Sequence, residues 1–167
     1  MPGLRRVGQT GLFRAKWTER ILDEWVAALL KRRPELGPSL ARQRELMRVA
    51  LGEAEVAGFE KLLPIVPPLP DPDDAHVVAA AMEYGAEVIV TFNLEDFPGE
   101  VLGPLGLEAQ QPDTFVRHLI DLHREAVGEM VEQMALAKAR PPMSYDEVLE
   151  VLHRRGLVES VRELRRG

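Results

Sequence analysis

The chain has 167 residues, a formal net charge of −6 and a hydrophobic fraction of 46%. That length and apolar content suit one domain with a buried core, and they exclude a wholly disordered protein. The sequence has no cysteine, which excludes disulfides and thiolate metal sites. No apolar run reaches the ~18 residues that a transmembrane helix needs. Together with the lack of cysteine, this predicts a cytoplasmic protein without a membrane partner. The acidic charge argues against a protein that coats nucleic acid, but not against an enzyme that acts on nucleic acid through bound cations.

The first part of the chain is predicted to hold a short strand and a helix. Residues 11–17 suit the strand, and Thr18 is a good N-cap for a helix over residues 19–31. Glu24 adjoins the apolar stripe of this helix, so its carboxylate needs a partner. Two alternatives stay open for Glu24, which either pairs with an arginine such as Arg20 or points into a metal site.

The next segments are predicted to lead the chain to an acidic turn. A second helix is expected over residues 39–50, and residues 56–63 form a weaker element. Residues 64–70 are rich in proline and are therefore predicted to be extended rather than helical.

The most informative stretch runs from Pro70 to Pro98. It opens with Asp71, Asp73 and Asp74, and an amphipathic helix follows that ends at Gly85. The apolar, β-branched run of residues 88–90 then predicts a strand that is buried on both sides of a parallel sheet.

Polar side chains follow that strand directly, and they are Thr91, Asn93, Glu95 and Asp96. Ligands of open α/β sheets bind beyond the carboxyl ends of the strands, so we expect Asp96 and the start of the acidic helix, with Asp74, to meet there. Carboxylates gathered in this way repel one another unless a cation lies between them, and hard oxygen donors suit Mg²⁺ or Mn²⁺. A simpler alternative makes Asp73 or Asp74 an N-cap and the polar residues an ordinary loop.

The last part of the chain is predicted to be mostly helical. A further short strand is expected over residues 107–110, and a long helix over residues 114–138. Residues 143–167 read as two short helices, with a capping box formed by Ser144 and Glu147. Their apolar face is too narrow to be stable alone, so it must dock on the main domain or on a partner.

Several of these motifs together resemble the PIN-domain family, in particular toxins of the VapC type. The motifs are GLFRAKWTERILDEW at residues 11–25, DPDDAHVVAAA at residues 71–81, IVTFNLEDFP at residues 89–98 and QPDTF at residues 111–115. The resemblance implies an α/β fold with three layers, in which a parallel sheet is flanked by helices. It implies a PIN-like domain over residues 1–138 and a helical C-terminal tail over residues 139–167.

The resemblance also implies the chemistry of the site. Glu24, Asp74 and Asp96 match the family's acids, which bind Mg²⁺ or Mn²⁺ for the cleavage of RNA, with Asp73 and Asp71 as further candidates. Thr91 and Asn93 match its supporting residues. The implied partners are an RNA substrate and a cognate antitoxin protein, and a homodimer is a further possibility.

The chain departs from the family pattern at its start. The family begins with a buried strand that ends in an Asp, whereas no Asp precedes Asp23 here. We therefore expect a PIN-like domain that is truncated at its N-terminus and lacks the first catalytic Asp. Two interpretations follow, a metal-dependent endoribonuclease and a catalytically degenerate PIN-like protein that acts only by binding a partner protein. A DNA nuclease or phosphatase that uses the same acids stays open as a third.

Overall fold

The computed structural model describes residues 12–32, 34–38, 40–41, 45, 55–137 and 141–166. The expectation about the missing first strand and most of the helix predicted over residues 39–50 therefore lie outside the described residues. The chain divides into two compact units. We call residues 16–89 and 100–107 the central unit, and residues 1–15, 90–99 and 108–167 the terminal unit.

The central unit contains the first helix, α1 (Glu19–Arg32), which begins where the sequence predicted. The Oγ1 atom of Thr18 accepts a hydrogen bond from the backbone N–H of Ile21 at 3.1 Å, so Thr18 is the predicted cap. The strand expected over residues 11–17 is wrong for the described part of that range, because only Trp17 pairs. It forms an isolated parallel bridge with Glu55.

A 3₁₀ helix, Phe59–Ile65, follows in the central unit and corrects a second expectation. Pro64 lies inside this helix, although the sequence predicted an extended chain from that residue onward. The helix is held by apolar packing, since its buried Phe59 clusters with Val56, Ala79 and Ala80. Burial of this face thus outweighs the local preference of proline.

The acidic turn and the helix after it match the prediction closely. A 3₁₀ turn, Pro72–Asp74, leads into α2 (Ala75–Tyr84), which ends at Gly85 in the left-handed conformation with φ of 72°. The strand β1 (Val88–Val90) comes next, and its middle residue Ile89 is buried. Val90 is 38% exposed, so burial on both faces is wrong for the end of the strand.

After β1 come a 3₁₀ turn (Leu94–Asp96), the short helix α3 (Gly99–Leu102), a second 3₁₀ turn (Gly103–Leu105) and the predicted strand β2 (Glu108–Gln110). Three helices follow, which are α4 (Pro112–Leu136), α5 (Tyr145–Arg154) and α6 (Val158–Leu164). Within the described residues the sheet has two strands, β1 and β2. Beyond the end of β1, the Thr91 N–H donates to the Gln110 carbonyl oxygen at 3.0 Å. The helix α4 is kinked at His123, where φ is −144° and ψ is 50°.

The C-terminal helices pack on α4 inside the terminal unit. Leu149 of α5 and Val161 of α6 are fully buried against Val131 and Ala135 of α4. The predicted capping box is confirmed, because Ser144 and Glu147 exchange both of its hydrogen bonds. The apolar face of the tail thus docks on this chain itself.

These elements confirm an α/β fold with a helical C-terminal region. The domain boundary between residues 138 and 139 stays a prediction. Among the helices that the structure describes, we find none that combines the length and the apolar content needed to cross a membrane.

Candidate active site

The acidic turn before α2 is organised by Asp71. Its side chain accepts a hydrogen bond from the Asp73 N–H at 2.9 Å, and its carbonyl oxygen accepts one from the Asp74 N–H at 3.2 Å. Asp74 occupies the N-cap position of α2, but its carboxylate makes no capping hydrogen bond. The carboxylate that caps this turn is therefore that of Asp71, whereas Asp74 is the N-cap of α2 by position, without a side-chain hydrogen bond. The partial positive charge of the α2 N-terminus favours the acids gathered there.

Glu24 of α1 is tied to the same turn. Arg20 Nε donates to Glu24 Oε1 at 3.0 Å, and Arg20 Nη2 donates to the Asp73 carbonyl oxygen at 3.3 Å. The expected pairing of Glu24 with Arg20 is therefore present. Because the Glu24 side chain is still 50% exposed, its carboxylate remains open to water.

His76 in the first turn of α2 holds the other oxygen of Glu24. Its Nε2 atom lies 3.1 Å from Glu24 Oε2, and since an ionised carboxylate only accepts, Nε2–H is the donor. Burial lowers the pKa of His76 below its ordinary value, and the charge of Glu24 opposes that effect only in part. The ring is therefore a neutral donor near neutral pH, while its Nδ1 atom is buried without a hydrogen-bond partner among the described residues.

Sequence reasoning missed His76. The signal available in the sequence was its position two residues after Asp74, in the first turn of the predicted helix and beside its apolar residues. The structure shows that one of these residues, Val78, is fully buried. A buried polar ring at such a place needs a polar partner. Glu24 was already a candidate, but it lies 52 positions earlier in the chain, and no local pattern connects the two.

The polar residues after β1 form a compact tip in the terminal unit. The Asn93 N–H donates to Thr91 Oγ1 at 3.1 Å, and the Asn93 side-chain amide donates to Asp96 Oδ2. Phe97 is buried and anchors the end of the tip. The Asn93 side chain thus contacts Asp96 and the Thr91 hydroxyl contacts the Asn93 backbone, while the supporting role of the two residues stays a prediction.

The donor chemistry of these residues fits a hard divalent cation, because every candidate ligand offers carboxylate oxygens. The structure brings Glu24 and the Asp73–Asp74 turn together in the central unit, and Asp96 with Asn93 in the terminal unit. Within the ranges described above, we find no group of three or more acidic or histidine side chains that is placed to hold a metal ion.

Asp113 is a second polar residue whose long-range contacts the sequence did not predict. Its carboxylate accepts hydrogen bonds from the backbone N–H groups of Glu159 and Ser160, both at 2.9 Å, and from Ser160 Oγ at 2.6 Å. Burial raises the pKa of Asp113, but these hydrogen bonds and the nearby charge of Arg117 outweigh it and hold the pKa below its ordinary value. The start of α4 is in this way tied to the start of α6.

Comparison with known proteins gives three results. A PIN-domain model matches residues 4–95, which is more than half of the chain, and the model of the VapC50 C-terminal domain matches residues 112–166. A curated protein of Mycobacterium tuberculosis (strain ATCC 25618 / H37Rv), named "Putative ribonuclease VapC50", is 40% identical over 79 residues, which cover 47% of each chain. The match thus spans about half of that relative. No solved structure matches.

Proposed function

Because the chain belongs to the PIN-domain family, we propose that it is a metal-dependent endoribonuclease of the VapC type, the toxin of a toxin–antitoxin pair. One observation carries this proposal beyond the family. The Glu24 carboxylate is held at the acidic start of α2 by hydrogen bonds from Arg20 and His76. The similar protein has the word ribonuclease in its name, which supports the choice of RNA as substrate. Because the proposed substrate is cellular RNA, we also propose that the protein acts in the cytoplasm.

Glu24, Asp74 and Asp96 would hold Mg²⁺ or Mn²⁺, with Asp73 as a further candidate. A divalent ion at these carboxylates supplies Lewis-acid activation of water and offsets negative charge on the phosphate. The chain's own polar residues orient the carboxylates. The Asn93 amide donates to Asp96, and Thr91 Oγ1 fixes the backbone of Asn93.

Metal-dependent cleavage of RNA is the direct test. We expect the purified chain to cleave labelled RNA with Mn²⁺ or Mg²⁺ and to lose that activity in EDTA. Asp74→Asn and Asp96→Asn should each lower the rate by ~100-fold or more, because each removes a carboxylate that would bind the metal, and loss of even a partner of such a ligand costs ~10- to 100-fold. The matched control is Asp121→Asn, an exposed carboxylate on α4. Unchanged cleavage by Asp74→Asn would remove that residue from the site.

A catalytically degenerate protein that acts only by binding a partner is the second candidate. It is favoured by one observation, because in the part of the chain that the structure describes no group of three or more acidic or histidine side chains is placed to hold a metal ion. Titration with Mn²⁺ in a calorimeter separates the two candidates. Saturable binding that Asp74→Asn abolishes supports the enzyme, and the absence of binding supports the degenerate protein.

The family also leads us to propose two protein partners, a cognate antitoxin and a second copy of this chain. A homodimer would have a mass of twice 18.7 kDa, about 37.4 kDa, and light scattering on the eluting protein measures it. For the antitoxin we expect a stoichiometric complex with the product of an adjoining gene. That complex should no longer cleave RNA if the pair is a toxin with its antitoxin.

A further inference from the structure

An exposed aromatic side chain lies within the polar tip of the terminal unit. Phe92 follows Thr91 and precedes Asn93, and 60% of its surface is accessible to solvent. The other phenylalanine of the segment, Phe97, is only 6% exposed and belongs to the core. The exposed ring of Phe92 is a face on which a base can stack, next to a residue of the proposed site.

The turn between α5 and α6 lies at the edge of this ring. Gly156 in that turn has a φ of 97°, and a Cβ atom built on it would lie 3.7 Å from the Cε1 atom of Phe92. Both residues belong to the terminal unit. The C-terminal tail therefore reaches the tip that carries Asn93 and Asp96.

This turn is positively charged, unlike the chain as a whole. His153, Arg154 and Arg155 precede Gly156, and all three are exposed. Two other arginines of the tail are paired with acids, Arg162 with Glu159 at 2.8 Å and Arg165 with Glu150 at 2.7 Å. Arg154 and Arg155 form no salt bridge with any residue in the described ranges. The hydrogen bond and charge of Arg165 lower the pKa of Glu150, and the nearby charges of His153 and Arg154 add to this effect.

A role of these cations in stabilising the C-terminus of α5 explains only some of them. A cation near a helix C-terminus is favourable, and His153 and Arg154 lie in the last turn of α5. That effect does not require a second arginine beyond the helix, at Arg155, beside an exposed aromatic ring. Cations next to an exposed ring are the combination found in sites for single-stranded nucleic acid.

We propose that Phe92 and the turn His153–Gly156 form a site for single-stranded RNA next to the catalytic tip. A base stacks on the Phe92 ring, and Arg154 and Arg155 contact the adjoining phosphates. The site would position the strand relative to Asn93 and Asp96. This inference rests on the proposed function, since it assumes an RNA substrate. Phe and Arg are also enriched at protein interfaces, so the test below includes the antitoxin as the other occupant.

Binding can be tested apart from cleavage. The probe is a fluorescein-labelled single-stranded RNA of about 12 nucleotides and mixed sequence, titrated in EDTA and followed by anisotropy. The double variant Arg154→Gln/Arg155→Gln should weaken binding and lower the slope of log K against log salt by ~1.4, about 0.7 for each phosphate contact. Phe92→Ala should weaken binding by roughly 5- to 150-fold, the loss expected for one stacked base.

The matched control is Arg162→Gln/Arg165→Gln, which removes the same charge from the same tail. It should bind the RNA as the wild type does, and thermal melting checks that every variant folds. Equal weakening by the two double variants, or an unchanged affinity for Phe92→Ala, overturns the inference. If the double variant of Arg154 and Arg155 binds the RNA normally but no longer binds the antitoxin, the surface belongs to the protein partner, and the inference is also overturned.

The inference and the proposed function fail in different ways. A wild-type chain that cleaves RNA, with Arg154, Arg155 and Phe92 variants that bind it normally, keeps the proposed function and rejects this site. A wild-type chain that neither binds the RNA in EDTA nor cleaves it with Mn²⁺ rejects both. Binding that depends on Phe92 without any cleavage retains the site and rejects the enzyme.

Discussion

The Nε2 atom of His76 lies 3.1 Å from Oε2 of Glu24, and the two residues are 52 positions apart in the chain. The imidazole is fully buried, whereas half of the Glu24 side chain is exposed. A fixed donor therefore holds a carboxylate that still reaches solvent. Arg20 holds the other oxygen of that carboxylate, so its orientation is determined from two sides.

Loss of the His76 donor should weaken the proposed site. His76→Leu fills the space but cannot donate, and we expect RNA cleavage and Mn²⁺ affinity to fall by ~10- to 100-fold, as is usual when the partner of a metal ligand is removed. His76→Gln can place an amide N–H near the same oxygen and should restore most of both. Equal Mn²⁺ affinity in the Leu variant and the wild type, measured by calorimetry, would contradict this role.

The hydrogen bonds from α6 to Asp113 should make stability depend on pH. The native pKa of Asp113 lies below its ordinary value, so its contribution is present above the unfolded pKa of ~3.9 and is lost as pH falls through the native value. We expect Asp113→Asn to lower the free energy of unfolding by ~1–3 kcal/mol at pH 7. This difference should shrink below pH ~4 as the wild type takes up its proton.

Urea unfolding of wild type and Asp113→Asn at a series of pH values measures this difference. The exposed Asp121 on the same helix provides the control, and Asp121→Asn should change stability by less than ~0.5 kcal/mol at neutral pH. A difference between wild type and Asp113→Asn that stays constant down to pH ~3 would show that the carboxylate charge is not what holds α6.

Two glycines of the terminal unit should respond in opposite directions to the same substitution. Gly156→Ala places a side chain at a φ of 97° and should destabilise the protein by ~1–2 kcal/mol. Gly128 lies inside α4 with open space around its Cα, so Gly128→Ala should stabilise the protein by ~0.5–1 kcal/mol. Thermal and urea unfolding compare the two, and a neutral Gly156→Ala would mean that the turn adjusts its backbone.

The packing of the tail on α4 can be tested at Leu149. This side chain is fully buried among α4, α5 and α6, so Leu149→Ala should lower the free energy of unfolding by ~2–5 kcal/mol. Leu122 is 73% exposed on the same α4 helix, and Leu122→Ala should cost less than ~0.5 kcal/mol. Similar small effects for both in urea unfolding would mean that the tail is not docked in solution.

Local signals in the sequence predicted much of the fold. The helix that ends at Gly85, the strand after it and the capping box of Ser144 and Glu147 depend on neighbours within a few positions, and all are present. The supporting contact between Asn93 and Asp96 is of the same local kind.

Contacts between distant segments account for what the sequence did not predict. Ser160 is 47 positions from the carboxylate of Asp113 that it binds, and no periodic pattern links the two. Pro64 is helical because Phe59 in the same 3₁₀ helix packs on α2, which overrides local propensity. Val90 is 38% exposed, although the β-branched composition of β1 predicted burial on both faces of the sheet, because cover for a face comes from segments distant in the sequence.

The core of the terminal unit joins segments that are far apart in the sequence. Leu12 and Phe13 pack with Leu157 and Leu164 on the buried residues of α4, and Phe13 meets Phe115 edge to face at 5.0 Å. These contacts close only when α6 has been synthesised, so folding of this unit must wait for that helix. A nascent chain on the ribosome would therefore carry the residues of the tip before the core beneath them is complete.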